Sequence, residues 1–95
     1  MNIIAFYEFN PDDFDTLIKK FQEVTADRET KSNKYPNLIF GPTVNGGKWG
    51  GLAIYDNPTE EQLNALMIQY KGILSWKFVP MTDGANFIKQ YMKSK

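Results

Sequence analysis

The chain contains no cysteine and no histidine. Without cysteine there are no disulfides, no thiolate nucleophile and no Cys-based metal site. Without histidine the usual general base, the usual haem ligand and the commonest zinc ligand are missing. An excess of charge is absent too: Lys plus Arg and Asp plus Glu both number 11, for a formal net charge of zero. Nucleic-acid binders normally present a basic face, and this balance leaves no surplus to build one. No apolar run approaches the roughly 20 residues that a membrane-spanning helix needs. The opening MNIIAFYEFNPDD has neither the basic start nor the cleavage site of a signal peptide. No carboxylate cluster has calcium-loop spacing. The expectation is a cytoplasmic protein with no nucleic-acid partner, no membrane, no metal and no cofactor.

What the chain does have is aromatic bulk, 15% of its 95 residues, in a length that suits one domain, 1–95, with a modest core. NIIAFYEF is rich in β-branched and aromatic residues and reads as a strand that ends at Asn10-Pro11. Asn10 suits an N-cap, Pro11 the first helical position, and Asp12 and Asp13 the positive end of a helix dipole. Phe14, Leu17, Ile18, Phe21 and Val24 then recur at helical spacing, which predicts a helix over about 11–27. ADRETKSNKYPN has no apolar periodicity and reads as a solvated loop. NLIFGPTV and KWGGLAIY are strands joined through Asn45-Gly46-Gly47, a hairpin signal. Asn57-Pro58 starts a second helix, or Thr59 and Gln62 form a capping box. Leu63, Leu66, Met67 and Tyr70 make its buried stripe, and Gly72 ends it. ILSWKFVPM is a last strand, and TDGANFIKQYMK a terminal helix.

The order β-α-β-β-α-β plus a helix is that of an α+β, ferredoxin-like split βαβ sandwich with one four-stranded antiparallel sheet. A sheet covered by helices on one side should alternate apolar and polar residues. Here both faces are apolar. Ile4, Phe6, Leu52, Ile54, Leu74, Trp76 and Phe78 are assigned to the helix side, because the set contains almost no polar atoms. The other face then presents Tyr7, Phe9, Trp49, Tyr55, Ile73 and Val79, too apolar to leave in water.

RNA covers the corresponding face in RNA-recognition domains. Laid on Lys48 to Tyr55, their K/R-G-F/Y-G/A-F-V-x-F/Y pattern keeps Lys48, Gly51 and Tyr55 but puts Gly50 and Leu52 at the stacking positions. Single-stranded RNA is therefore the weakest of three readings. The second cover is another copy of the chain, which would give a dimeric α/β barrel through the open sheet face.

The stretch AIYDNPTEEQLNALMIQYKGILSWKFVPMTDGANF resembles a family of small, functionally uncharacterised prokaryotic proteins of the dimeric α/β-barrel superfamily. The likeness rests on Glu8-Phe9, on Pro58 at the second helix, on Trp76, Phe78, Val79 and Pro80, and on Thr82 and Phe87. It covers the last 45 or so residues well, the first strand loosely and 28–48 poorly. The resemblance implies a homodimeric barrel and carries no established activity. Relatives in the wider superfamily include cofactor-free oxygenases, haem enzymes and muconolactone-isomerase-like proteins. The haem members bind iron through histidine, so the expectation here is a homodimer that at most binds a small, partly apolar ligand. The alternative is a cofactor-independent monooxygenase- or isomerase-like enzyme. Candidate ligand-binding residues are Tyr7, Trp49, Tyr55 and Lys77, with Trp76 a further aromatic of such a pocket. Lys77 stands out because alternation puts its ammonium on the covered face. The simpler readings are an interface core for the aromatics and, for Lys77, a pair with Glu8 across the dimer or a route to the barrel mouth. NGGKWGG joins two strands rather than a strand to a helix, which excludes a P-loop. No catalytic residue is identified.

Overall fold

The computed structural model describes residues 1–31 and 33–95. Ser32, in the segment read as a loop, lies outside the described residues. β1 (Ile3–Glu8) is followed by a 3-10 turn, Pro11–Asp13, that runs into α1 (Phe14–Thr30). β2 (Asn37–Phe40), β3 (Gly50–Asp56), α2 (Glu60–Gln69), β4 (Ser75–Pro80) and α3 (Gly84–Lys93) complete the chain. The strands form one antiparallel sheet in the order β2-β3-β1-β4. With its three helices this is an α+β fold of ferredoxin-like topology, and the sheet is open rather than closed into a barrel.

Local chemistry sets the element ends. The Asn10 side chain accepts a hydrogen bond from the Asp12 amide at 2.9 Å, and Pro11 needs no partner for an N–H it lacks. α1 runs three residues past the predicted end, to Thr30, where the Lys31 amide closes the last turn on the Asp27 carbonyl at 2.8 Å. At α2 the capping box forms: Gln62 N–H donates to the Thr59 hydroxyl and the Thr59 amide to the Gln62 side chain, at 3.1 and 3.0 Å. Asn57 is then free to turn the chain with φ 41°. β2 contains a register shift between Leu38 and Phe40, which leaves Ile39 out of the ladder.

Cross-strand register decides which side chains share a face. Tyr7 lies opposite Gly51 and Trp76, Ala5 opposite Ala53 and Phe78, and Ile3 opposite Tyr55. Ala5, Tyr7, Ala53 and Tyr55 are buried with Val24, Leu66 and Tyr70 from the helices, and Trp76 and Phe78 pack against them. The helix side is therefore the tyrosine side. The face assignment from sequence holds for β4 and is reversed for β1 and β3: Ile4, Phe6, Leu52 and Ile54 point away from the helices with Val79 and Lys77. The reason is steric. Alanines and a glycine at the centre of the tyrosine face let helices and large rings approach, whereas a lack of polar atoms in the aliphatic set does not by itself select a face. The opposite face remains apolar and uncovered, with Phe6 40% exposed. No helix among the described residues is long and apolar enough to cross a membrane.

Candidate functional site

α1 does not press directly onto the sheet. Its apolar stripe, from Phe14 to Val24, forms one wall of a cavity of about 930 Å³. The floor is Tyr7, Tyr55 and Trp76 from the sheet, and Leu66 and Tyr70 of α2 close one end. The segment Gly41–Val44 closes another side. The volume falls within the range of small-molecule sites, which are mostly apolar with a few convergent polar groups.

Gly51 fixes the segment's position. A Cβ at Gly51 would lie 1.8 Å from the Thr43 carbonyl oxygen and 2.8 Å from the Tyr7 hydroxyl. Only glycine lets Thr43 come this close, and the Tyr7 hydroxyl donates to that same carbonyl. Thr43 also ties itself to β3, its amide donating to the Leu52 carbonyl and its hydroxyl accepting from the Leu52 amide, both at 3.0 Å. Gly41 turns the chain into this segment with φ 86°, in the left-handed region that favours glycine.

The polar groups of the wall are few. Burial raises the pKa of Tyr7 against its hydrogen bond to Thr43. Burial likewise pushes Tyr55 up to about 12 and Tyr70 upward, in both cases against the pull of the Arg28 charge. All three are neutral phenols near neutral pH. The Tyr55 and Tyr70 hydroxyls, on side chains 5% exposed, have no hydrogen-bond partner among the described residues. Arg28, the chain's one arginine, stands on the same wall. One of its nitrogens donates to the Pro36 carbonyl, and its guanidinium lies 5.6 Å from the Tyr35 ring centroid. It forms no ion pair among the described residues. The neighbouring Asp27 is already engaged: Tyr35 donates to it at 2.7 Å and Lys34 at 3.0 Å, which together hold its carboxyl down at about 2. In the floor, the Trp76 indole meets the Tyr7 and Tyr70 rings edge to face, and its buried N–H has no acceptor among the described residues.

Of the four candidates from sequence, Tyr7 and Tyr55 stand together in this wall. Trp49 is half exposed in an aromatic cluster with Phe9 and Phe14 at the end of β1. Lys77 lies on the opposite face of the sheet, exposed, across from Phe6. Glu8, considered as a partner for Lys77, pairs with Lys48 of its own chain at 2.8 Å. Arg28, Tyr70 and Thr43 were not singled out for the site. Tyr70 carried a usable signal as a hydroxyl on the buried stripe of α2. Arg28 lay just beyond the predicted helix end, in a stretch read as solvated loop. Comparison of the chain with protein-family models, curated proteins and solved structures finds no match.

Proposed function

We propose that this protein binds a small, largely apolar molecule in the cavity between α1 and the sheet, and that it does so as a homodimer on the dimeric α/β-barrel plan. The observation that carries the reading is the cavity itself, about 930 Å³ behind an apolar helix stripe. A collapsed helix-on-sheet interface would bury the same side chains without leaving such a space. The dimer is supported by the second apolar face, where Ile4, Phe6, Leu52, Ile54 and Val79 lie side by side on three adjacent strands. Contiguous apolar patches of this kind mark interaction surfaces.

Binding is favoured over catalysis by the titration behaviour of the wall. Its ionisable side chains are Tyr7, Tyr55, Tyr70 and Arg28. The phenols are raised, and a guanidinium has donors but no acceptor. None accepts a proton near neutral pH, whereas an isomerase or oxygenase that abstracts a proton needs a base poised there.

The reading is tested with a panel of uncharged aromatic and alicyclic compounds in a thermal-shift assay, followed by calorimetry. Members that fit should raise the melting temperature through binding to the folded state, and Leu17→Trp, which fills the cavity, should abolish the shift. A panel without a single saturable binder would refute it.

A further inference from the structure

Arg28 is a cation on the wall of an apolar cavity with no carboxylate paired to it among the described residues, and two phenol hydroxyls on the same wall have no partner. Arg28 is only partly buried and the two hydroxyls open onto the cavity rather than into packed protein, so all three are available as donors to a bound anion. We propose that the ligand is an apolar acid whose carboxylate seats on Arg28 and accepts hydrogen bonds from Tyr55 and Tyr70. This rests on the cavity being the ligand site.

The chemistry selects the class. Guanidinium has five N–H donors in a planar fork, and the Pro36 carbonyl takes from one nitrogen only. The fork that remains matches the two oxygens of a carboxylate. A single positive charge balances a monoanion. A phosphate dianion would carry a second, uncompensated charge into a wall that is mostly apolar and whose other polar side chains, Gln22, Thr25, Asn37 and Thr43, are uncharged. Of the two acids that flank Arg28 in sequence, Asp27 is held by Tyr35, Lys34 and Lys31, and the exposed Glu29 forms no ion pair among the described residues, so neither neutralises Arg28 in place of a ligand. The phenols stay protonated and so remain donors to an anion.

Cinnamate and its neutral amide, cinnamamide, have nearly the same shape and separate charge recognition from simple apolar fit. Calorimetric titration of the full chain at neutral pH should give cinnamate an affinity roughly tenfold or more above cinnamamide, since hydrogen bonds to an ionised group exceed neutral ones by about that factor. Arg28→Met keeps the length of the stem and should erase the preference for cinnamate over cinnamamide. Tyr70→Phe should reduce the preference by a smaller factor. Cinnamamide binding as tightly as cinnamate would overturn the carboxylate assignment and leave the cavity reading intact, and so would a preference that survives in a folded Arg28→Met protein. Failure of both compounds to bind at millimolar concentration would count against this proposal, while the uncharged panel above decides the cavity reading separately. The comparison on the unmodified protein stands even where Arg28→Met fails to fold.

Discussion

Gly51 and Thr43 are in contact closer than any side chain at 51 would permit, so Gly51→Ala must displace the Gly41–Val44 segment or the Tyr7 ring. The expected loss is about 1–3 kcal/mol, the usual range for overpacking, read from the urea midpoint. Tyr7→Phe keeps the glycine and loses only the hydrogen bond to Thr43, so it should lose less. Asp27 supplies a second residue-level expectation through pH. Its folded pKa of about 2 lies below the 3.8 of an ordinary aspartate because Tyr35 and Lys34 hydrogen-bond the carboxylate. A depressed carboxyl contributes stability that is full above the unfolded pKa and is lost as pH falls through the folded one. Stability should therefore decline between about 3.8 and about 2, and Asp27→Asn should flatten that part of a pH series of denaturant melts. An unchanged slope in the variant would show that other groups dominate acid unfolding.

At the level of elements, the chain's local rules were readable. Asn10-Pro11, the Thr59–Gln62 box and the long aromatic strands all lie where short-range chemistry put them. Thr59→Ala should remove about 1 kcal/mol by leaving first-turn amides of α2 uncapped, and Thr59→Ser should retain most of it. What could not be read was the side to which β1 and β3 turn, because both faces of those strands are apolar and alternation then carries no sign. β4 did carry one: Ser75 and Lys77 alternate with Trp76 and Phe78, and its orientation was read correctly. Register transmits that orientation across the sheet, Trp76 to Tyr7 and then to Gly51, but register is a tertiary fact. The site was half legible for the same reason. Tyr7 and Tyr55 stand out as aromatics, while the importance of Arg28 depends on α1 running on to Thr30 and on no acid being paired to it among the described residues.

For the whole molecule, the radius of gyration of 15.5 Å and the long dimension of 52 Å exceed the roughly 12 Å radius of a compact chain this size. α3 contributes to the surplus of exposed apolar surface, with Phe87, Ile88, Tyr91 and Met92 each more than half exposed. An isolated chain would keep both α3 and the open sheet face in water. If the proposed dimer forms through that face, the parent protein should sediment at twice 11.0 kDa and Phe6→Asp as a monomer, with the far-ultraviolet spectrum still native. A substitution on the tyrosine side such as Tyr55→Ala should instead lower the melting temperature by opening the core. Phe6→Asp that sediments like the parent protein would remove this face as the contact.

The irregularity in β2 has a consequence for how the molecule avoids uncontrolled association. An open sheet has two edge strands whose unpaired amides and carbonyls can recruit further strands into fibrils. Here one edge is four residues long, is broken by the shift at Ile39 and runs straight into Gly41-Pro42, where proline offers no N–H. The other edge presents Lys77 and ends on Pro80. The β2 edge is therefore no straight ladder for a further strand, and on the regular β4 edge the Lys77 charge and the terminal Pro80 disfavour one. A broad apolar sheet face is thus displayed beside edges that carry features discouraging strand addition, so association is steered to the face rather than along the hydrogen-bonding direction.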